Sequence, residues 1–217
     1  MKFEGAIFDL DGTLTDSMYI WNEAPKALVR QFGGQPPEDL AEDIKEMGRR
    51  EAAEYLRSRF SLSTTPEELM DTLNDLVTEE YRSRVPMKPG ADRLLARLAD
   101  SGISCCIATA SEAFQARDAM VRLGLWKHFL FAFSSLQYGS KSRPDVYFAA
   151  ARSLGSAPEH TIVFEDALHA ARTAKEAGFL VAGVYDPSAE GDQEALKKIC
   201  DWYLPRLDDP EFLELLK

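Results

Sequence analysis

Short apolar runs alternate with amphipathic stretches along most of this chain of 217 residues. The runs are Phe3–Phe8, Ile103–Ala108, Phe129–Phe133, Thr161–Phe164 and Phe179–Val184, with a weaker one at Trp202–Leu204. Several are apolar at consecutive positions, the pattern of strands covered on both faces. Between them apolar residues recur at helical spacing, as at Ala91, Leu94, Leu95 and Leu98 ahead of a closing Gly102. This alternation predicts a doubly wound, Rossmann-like α/β domain with a parallel sheet.

The stretch from Asp16 to Val85 breaks the alternation, with helical patterns and no convincing strand. Thr65-Pro66-Glu67-Glu68 is a strong helix start: an N-cap threonine, proline in the first turn and a glutamate placed for a capping box. Leu69, Leu73, Leu76 and Val77 follow on one helical face. Breaks fall at Gly33-Gly34-Gln35-Pro36-Pro37 and near Gly48, Pro25 is expected to kink or start a helix, and Val85 to Gly90 reads as a linker. The expected organisation is an α/β core of residues 1–15 and 87–217, with an all-helical cap at 16–86 inserted after the first strand.

Composition narrows the functional classes. With 45% hydrophobic and 28% charged residues the chain is ordinarily globular. Nothing approaches the roughly 18 consecutive apolar residues of a membrane span. The first residues lack the basic start and long apolar core of a secretory signal, so a cytoplasmic location is expected. A net charge of -11 disfavours nucleic acids and anionic membranes as partners. The three cysteines, Cys105, Cys106 and Cys200, are odd in number and contain no C-x-x-C, which fits buried reduced thiols rather than a disulfide framework or a zinc site.

Four places carry candidate chemistry. Asp9 and Asp11 in Phe8-Asp9-Leu10-Asp11-Gly12-Thr13 follow the first strand, where an extended backbone projects both carboxylates to one side. A plain Asp-Gly turn is the structural alternative, while an EF-hand calcium loop fails on its glycine spacing. Thr109-Ala110-Ser111, at a strand-to-helix junction, offers a hydroxyl and backbone N–H groups to a phosphate, or Ser111 simply caps the next helix. Lys141, just before a proline-started helix, is either an ammonium over the site or a solvated loop residue. Glu165-Asp166 closes an apolar strand with two adjacent acids, an arrangement that suits a hard divalent cation such as Mg²⁺. His169 lies three residues past Asp166 but reads as a helix-surface residue, and His128 and His160 have no motif around them, which disfavours a histidine-based zinc site.

Together these four motifs, in this order, resemble the haloacid dehalogenase-like hydrolase superfamily: D-x-D-x-T, a Ser/Thr strand end, a lysine and a paired acid. Pro89-Gly90-Ala91-Asp92-Arg93 resembles the family's entry to the helix before its second strand, so the resemblance spans nearly the whole chain. A helical insertion after the first motif is similar to the branch holding phosphoglycolate phosphatases and β-phosphoglucomutases. The resemblance implies that Asp9 is a nucleophile forming an aspartyl-phosphate, Asp11 a general acid/base, and Thr13 the residue that fixes their loop. It implies phosphate contacts from Asp9, Leu10, Asp11, Thr109, Ala110 and Lys141. It implies a Mg²⁺ site of Asp9, Asp11 (through its backbone carbonyl), Glu165 and Asp166. The expected partner is a small phosphorylated metabolite bound by a monomer.

Departures from the family pattern are Ala167 and Ala170 after the paired acids, and Ser142 where proline is usual. None removes a catalytic group. Trp21 and Arg49 are the candidate selectivity residues of the cap. A β-phosphoglucomutase is the first rival reading: those enzymes carry a histidine where this chain has Trp21 and a glycine where it has Glu46. A dehalogenase would leave Asp11 without a task. A catalytically silent binding module would show a broken catalytic position, and none is present.

Overall fold

The computed structural model describes residues 3–45 and 47–216, so Glu46 lies outside the described residues. The chain forms two compact units, Met1–Asp16 with Val85–Lys217, and Ser17–Arg84.

The larger unit is built on a six-stranded parallel sheet of β1 (Gly5–Phe8), β2 (Ser104–Thr109), β3 (Phe129–Ser134), β4 (Thr161–Glu165), β5 (Leu180–Val184) and β6 (Trp202–Leu204). Their order across the sheet is β3-β2-β1-β4-β5-β6. The chain thus winds outward in one direction from β1, then returns to its other side at β4. This reversal opens a crevice at the carboxyl ends of β1 and β4, where doubly wound sheets bind ligands. Strand β1 begins two residues after the apolar run does: Phe3 is buried but precedes the ladder, and its ring packs edge-on to Trp202 at 5.5 Å.

The crossover helices are α5 (Ala91–Asp100), α6 (Ala113–Arg122), α7 (Asp145–Leu154), α8 (Leu168–Glu176) and α9 (Gln193–Ile199), followed by α10 (Pro210–Leu215). Ala91, Leu94, Leu95 and Leu98 of α5 are all fully buried, as their spacing predicts. Cys105 and Cys106 are buried free thiols in β2, and burial pushes the Cys105 thiol up to about 12. Among the described residues, no helix is long and apolar enough to cross a membrane.

The smaller unit is all-helical: α1 (Tyr19–Gln31), α2 (Leu40–Ile44), α3 (Arg49–Arg59) and α4 (Pro66–Ser83). Leu28, Val29, Leu40, Ala53, Leu56, Leu62 and Leu69 form its core, and each fully buried leucine contributes about 1.5–3 kcal/mol. The capping box at α4 forms in both directions. Thr65 Oγ1 accepts from the Glu68 N–H at 3.1 Å, and Glu68 Oε2 accepts from the Thr65 N–H at 3.0 Å. Pro25 does not start a helix but lies inside α1, where its missing N–H gives up one intrahelical bond.

Residues 85–90 are tied to the larger unit by several bonds. Thr15 bridges Met87 in antiparallel fashion, the Asp16 N–H donates to the Pro86 carbonyl at 3.0 Å, and the Lys88 N–H donates to the Leu14 carbonyl at 2.9 Å. The Lys88 ammonium forms a buried ion pair with Asp186. Gly90 then takes φ +89°, with the space of its absent Cβ 2.6 Å from the Asp208 backbone nitrogen. Gly90→Ala therefore meets both left-handed strain and backbone. The expected loss is more than the ~1–2 kcal/mol of the strain alone. Gly102→Ala is the comparison, since φ there is +72° with nothing within 4 Å. Thermal melts of both variants check this, and equal losses would show that the Asp208 contact costs nothing.

Candidate active site

The register of β1 and β4 creates the site. Phe8 pairs with Phe164 across the parallel ladder, and their rings stack at 4.3 Å with an interplanar angle of 1°. Phe129 meets the Phe8 ring edge-on at 6.0 Å, and Phe212 meets Phe164 edge-on at 5.7 Å. The next residues along each strand, Asp9 and Glu165, therefore sit side by side and alternate to the other face. The Asp9 N–H donates to the Phe164 carbonyl at 3.0 Å, which extends the ladder to the nucleophile candidate.

After Asp9 the chain makes a tight loop. The Leu14 and Thr15 N–H groups and the Thr15 hydroxyl all donate to the Leu10 carbonyl at 2.9 Å. Gly12 holds φ +84°, and an added Cβ there would lie 2.4 Å from Asp166 Oδ2. Only glycine lets the loop approach this carboxylate so closely. Thr13 Oγ1 donates to Asp166 Oδ1 at 3.1 Å, so the loop is bonded to the second of the paired acids.

Among the described residues, Asp9, Glu165 and Asp166 form a group whose ligand atoms all lie within 4.8 Å of one another, and all three are buried. The Lys141 ammonium, also buried, bonds both Asp9 Oδ1 and Glu165 Oε2, the latter at 2.8 Å. Glu165 Oε2 accepts further from the Tyr147 hydroxyl at 3.3 Å, and Oε1 from the Ala167 N–H at 3.3 Å. The contact at Ala167 is made by its backbone N–H and needs no side chain. At Ser142 the N–H that proline would lack donates to Ser140 Oγ at 3.3 Å.

Asp11 points its carboxylate elsewhere. Ser111 Oγ donates to Asp11 Oδ2 at 2.8 Å, and the Ser111 N–H donates to Thr109 Oγ1 at 2.9 Å. Ser111 is not the helix cap that its position allows: α6 is capped at Glu112, whose N–H donates to Gln115 Oε1 at 3.1 Å. Thr109 and Ser111 are both buried at the end of β2. The structure therefore brings together Asp9, Leu10, Asp11, Thr13, Thr109, Ala110, Lys141, Glu165 and Asp166. Trp21, on α1, and Arg49, the first residue of α3, lie exposed in the helical unit. Its neighbour Arg50 pairs with Glu67 at 2.8 Å and Glu54 at 3.2 Å.

Tyr147 had no sequence-derived role. A signal existed: it is a hydroxyl-bearing side chain on a helical face otherwise made of Val146, Ala150 and Ala151, and a buried phenol needs a partner.

The electrostatics follow from crowding three acids away from water. Asp9 is raised well above the usual carboxylate range, first by burial, then by Glu165, with Lys141 opposing. Burial and Glu165 likewise push Asp166 up to about 8. For Lys141 burial would lower the value, but Asp9 and Glu165 outweigh it and hold the ammonium well above its ordinary range. Three buried oxygen donors with a surplus of negative charge and no nitrogen or sulfur ligand fit a hard divalent cation.

A cation binding here has to displace the proton that Asp166 holds at neutral pH. Calorimetric titration with a divalent cation in buffers of different ionisation enthalpy is expected to show release of about one proton or more at pH 7, falling off above pH ~9. The sign of the stability effect follows from the same shift. Asp166 is raised in the folded state, so its contribution to the metal-free protein is fully present below the unfolded value of 3.8 and is lost as pH rises through about 8. Metal binding without proton release at pH 7 would remove this reading of the cluster.

Comparison with known proteins agrees with this architecture. The sequence model of the haloacid dehalogenase-like hydrolase family matches residues 6–184. A phosphorylated carbohydrates phosphatase of Thermotoga maritima is 26% identical over 176 residues, covering 81% of this chain and 82% of that protein. Hexitol phosphatase A of Escherichia coli is 29% identical over 188 residues, covering 87% and 86%. CbbY of Rhodobacter sphaeroides, solved in complex with phosphate, shares the fold with a TM-score of 0.80 at 20% identity, over 95% of this chain and 96% of that one. With the family model spanning the site from β1 through β5, the chain belongs to the haloacid dehalogenase-like hydrolases.

Proposed function

We propose that this protein is a Mg²⁺-dependent phosphatase of small phosphorylated metabolites that works through an aspartyl-phosphate on Asp9. The observation that carries the reading is the buried group of Asp9, Glu165 and Asp166 at the ends of β1 and β4, with Lys141 bonded to the first two and Asp11 two residues from the nucleophile. Curated relatives are named as phosphatases of phosphorylated carbohydrates and of hexitols, and a phosphorylated compound of that kind is the substrate class proposed here.

The chemistry can be assigned to residues. Asp9 attacks phosphorus through a carboxylate oxygen, and the bond to the leaving oxygen breaks. Asp11 gives its proton to that oxygen as the alcohol departs. In the second half Asp11 takes a proton from water, whose oxygen attacks the phosphorus, releasing inorganic phosphate and restoring the Asp9 carboxylate. The Ser111 hydroxyl on Asp11 Oδ2 orients this acid/base. Lys141, Thr109 and the backbone N–H groups of Leu10 and Ala110 bind the phosphoryl oxygens, whose negative charge they offset. The carboxylates of Asp9, Glu165 and Asp166 and the Asp11 carbonyl would hold Mg²⁺, which would supply the remaining positive charge that an anionic nucleophile needs beside a phosphate dianion.

A panel of phosphorylated sugars, polyols and related metabolites assayed with Mg²⁺ tests the reading, and phosphate release from none of them refutes it. Asp9→Asn is expected to eliminate turnover and phosphoenzyme, because an amide is a far poorer nucleophile. Asp11→Asn is expected to slow alkyl phosphates by ~10²–10⁴-fold. Aryl phosphates should suffer much less, since a phenolate leaves with little help from an acid. Equal slowing of both classes would take the acid role away from Asp11.

A further inference from the structure

Glu165 and Asp166 are consecutive, yet they are held by different parts of the protein. Asp166 is bonded by Thr13 in the loop after β1. Glu165 is bonded by the backbone after β4 on Oε1, and by Lys141 and Tyr147 on Oε2. Two donors converge on one oxygen of this carboxylate and one on the other.

We propose that Tyr147 is a positioning residue for the phosphoryl-transfer site. Its hydroxyl holds Oε2 of Glu165 on Lys141 and away from the cation, so that Glu165 serves as the second anchor of the Lys141 ammonium. The proposal deepens the phosphatase reading and rests on it.

Several observations support the assignment. Tyr147 is buried to within 1% and belongs to the apolar face of α7, where a phenylalanine would pack equally well. Its ring lies 6.1 Å from that of Phe179 at 56°, and packing on this side keeps the phenol from swinging away. A buried hydroxyl on an apolar helix has a cost unless it is bonded, and the Tyr147 hydroxyl donates to a carboxylate of the acid cluster. Lys141 has two carboxylates to choose between, Asp9 and Glu165. An ammonium left wholly on Asp9 would blunt the nucleophile, while one anchored also on Glu165 stays beside the phosphoryl group. Tyr147 thereby acts on the reaction through Glu165 and touches no reacting atom.

The test is Tyr147→Phe, which keeps the ring and deletes the hydroxyl. With one donor gone, Oε2 is freer to turn toward the ion. The dissociation constant for Mg²⁺, measured by calorimetry on substrate-free protein, is expected to fall by about two- to tenfold, the worth of one neutral hydrogen bond. At saturating Mg²⁺, kcat on a phosphomonoester the wild type hydrolyses is expected to fall by a similar factor, about two- to tenfold, with KM little changed. Tyr147→Leu removes the ring as well. It should lower the melting temperature through lost packing but move the Mg²⁺ constant in the same direction. Unchanged or weaker Mg²⁺ binding in a folded Tyr147→Phe protein overturns the proposal, whatever happens to kcat. If Mg²⁺ binding tightens but the wild type hydrolyses no phosphate ester, the phosphatase reading fails and the positioning of Glu165 stands on the binding result.

Discussion

Mutual repulsion among Asp9, Glu165 and Asp166 is the constraint around which the site is built. Their ligand atoms lie within 4.8 Å of one another in a place nearly closed to water. At an effective dielectric of about 20, full charges at that spacing repel by roughly 3–4 kcal/mol per pair. The Lys141 ammonium opposes this repulsion but not the cost of taking three carboxylates out of water. The metal-free protein relieves the strain by letting Asp9 and Asp166 hold protons far above the usual carboxylate range, and by sharing Lys141 between two of the acids. A protein with no use for a cation would gain by replacing any of the three.

The fold carries this cost because its strands are apolar on both faces. Ile7, Phe8, Val163 and Phe164 are fully buried immediately before the acids, and the stacked Phe8 and Phe164 rings fix the height of the two strand ends relative to one another. Parallel pairing of β1 with β4 makes Asp9 and Glu165 neighbours without any loop having to reach. Their spacing is therefore as rigid as the ladder beneath them. The loop from Leu10 to Thr15 adds the third side, and its closeness to Asp166 depends on the missing Cβ of Gly12. Hydrophobic packing, not polar pairing, thus sets the distances between charges.

Much of this was legible in the sequence because charged residues directly after apolar runs are conspicuous. Asp9, Asp11, Glu165 and Asp166 announce themselves that way, and Gly12 marks the turn. Lys141 gains meaning only in company with them. Ser111 and Tyr147 were harder to read for a common physical reason. A hydroxyl at a strand-to-helix junction has a local use as a cap, and a tyrosine on a helix face has a local use as packing, so the pattern alone favours those uses. Their actual partners, Asp11 and Glu165, are 100 and 18 residues away and are chosen by strand register. The early start assigned to β1 has a similar origin: Phe3 is as buried as a strand residue, but it packs on Trp202 and lies outside the ladder. Trp21 and Arg49 remain assignments by resemblance, since an exposed side chain on a helix carries no pattern that names its partner.

The two acids of the pair divide the work of restraint. Asp166 is bound to the loop that carries Asp11 and Thr13, so any shift of that loop moves with it one of the carboxylates offered to the cation. Glu165 is bound to Lys141, so the position of that ammonium is coupled to the other. A small hard cation tolerates little distortion of its oxygen ligands. An ion held by both acids would therefore lock the loop after β1 and the ammonium into a single arrangement around Asp9. Charge crowding that destabilises the metal-free site would thus make its geometry depend on an ion, and this would link Asp9 and Asp11, the proposed nucleophile and acid/base, to Lys141, the proposed phosphate binder from a distant segment of the chain.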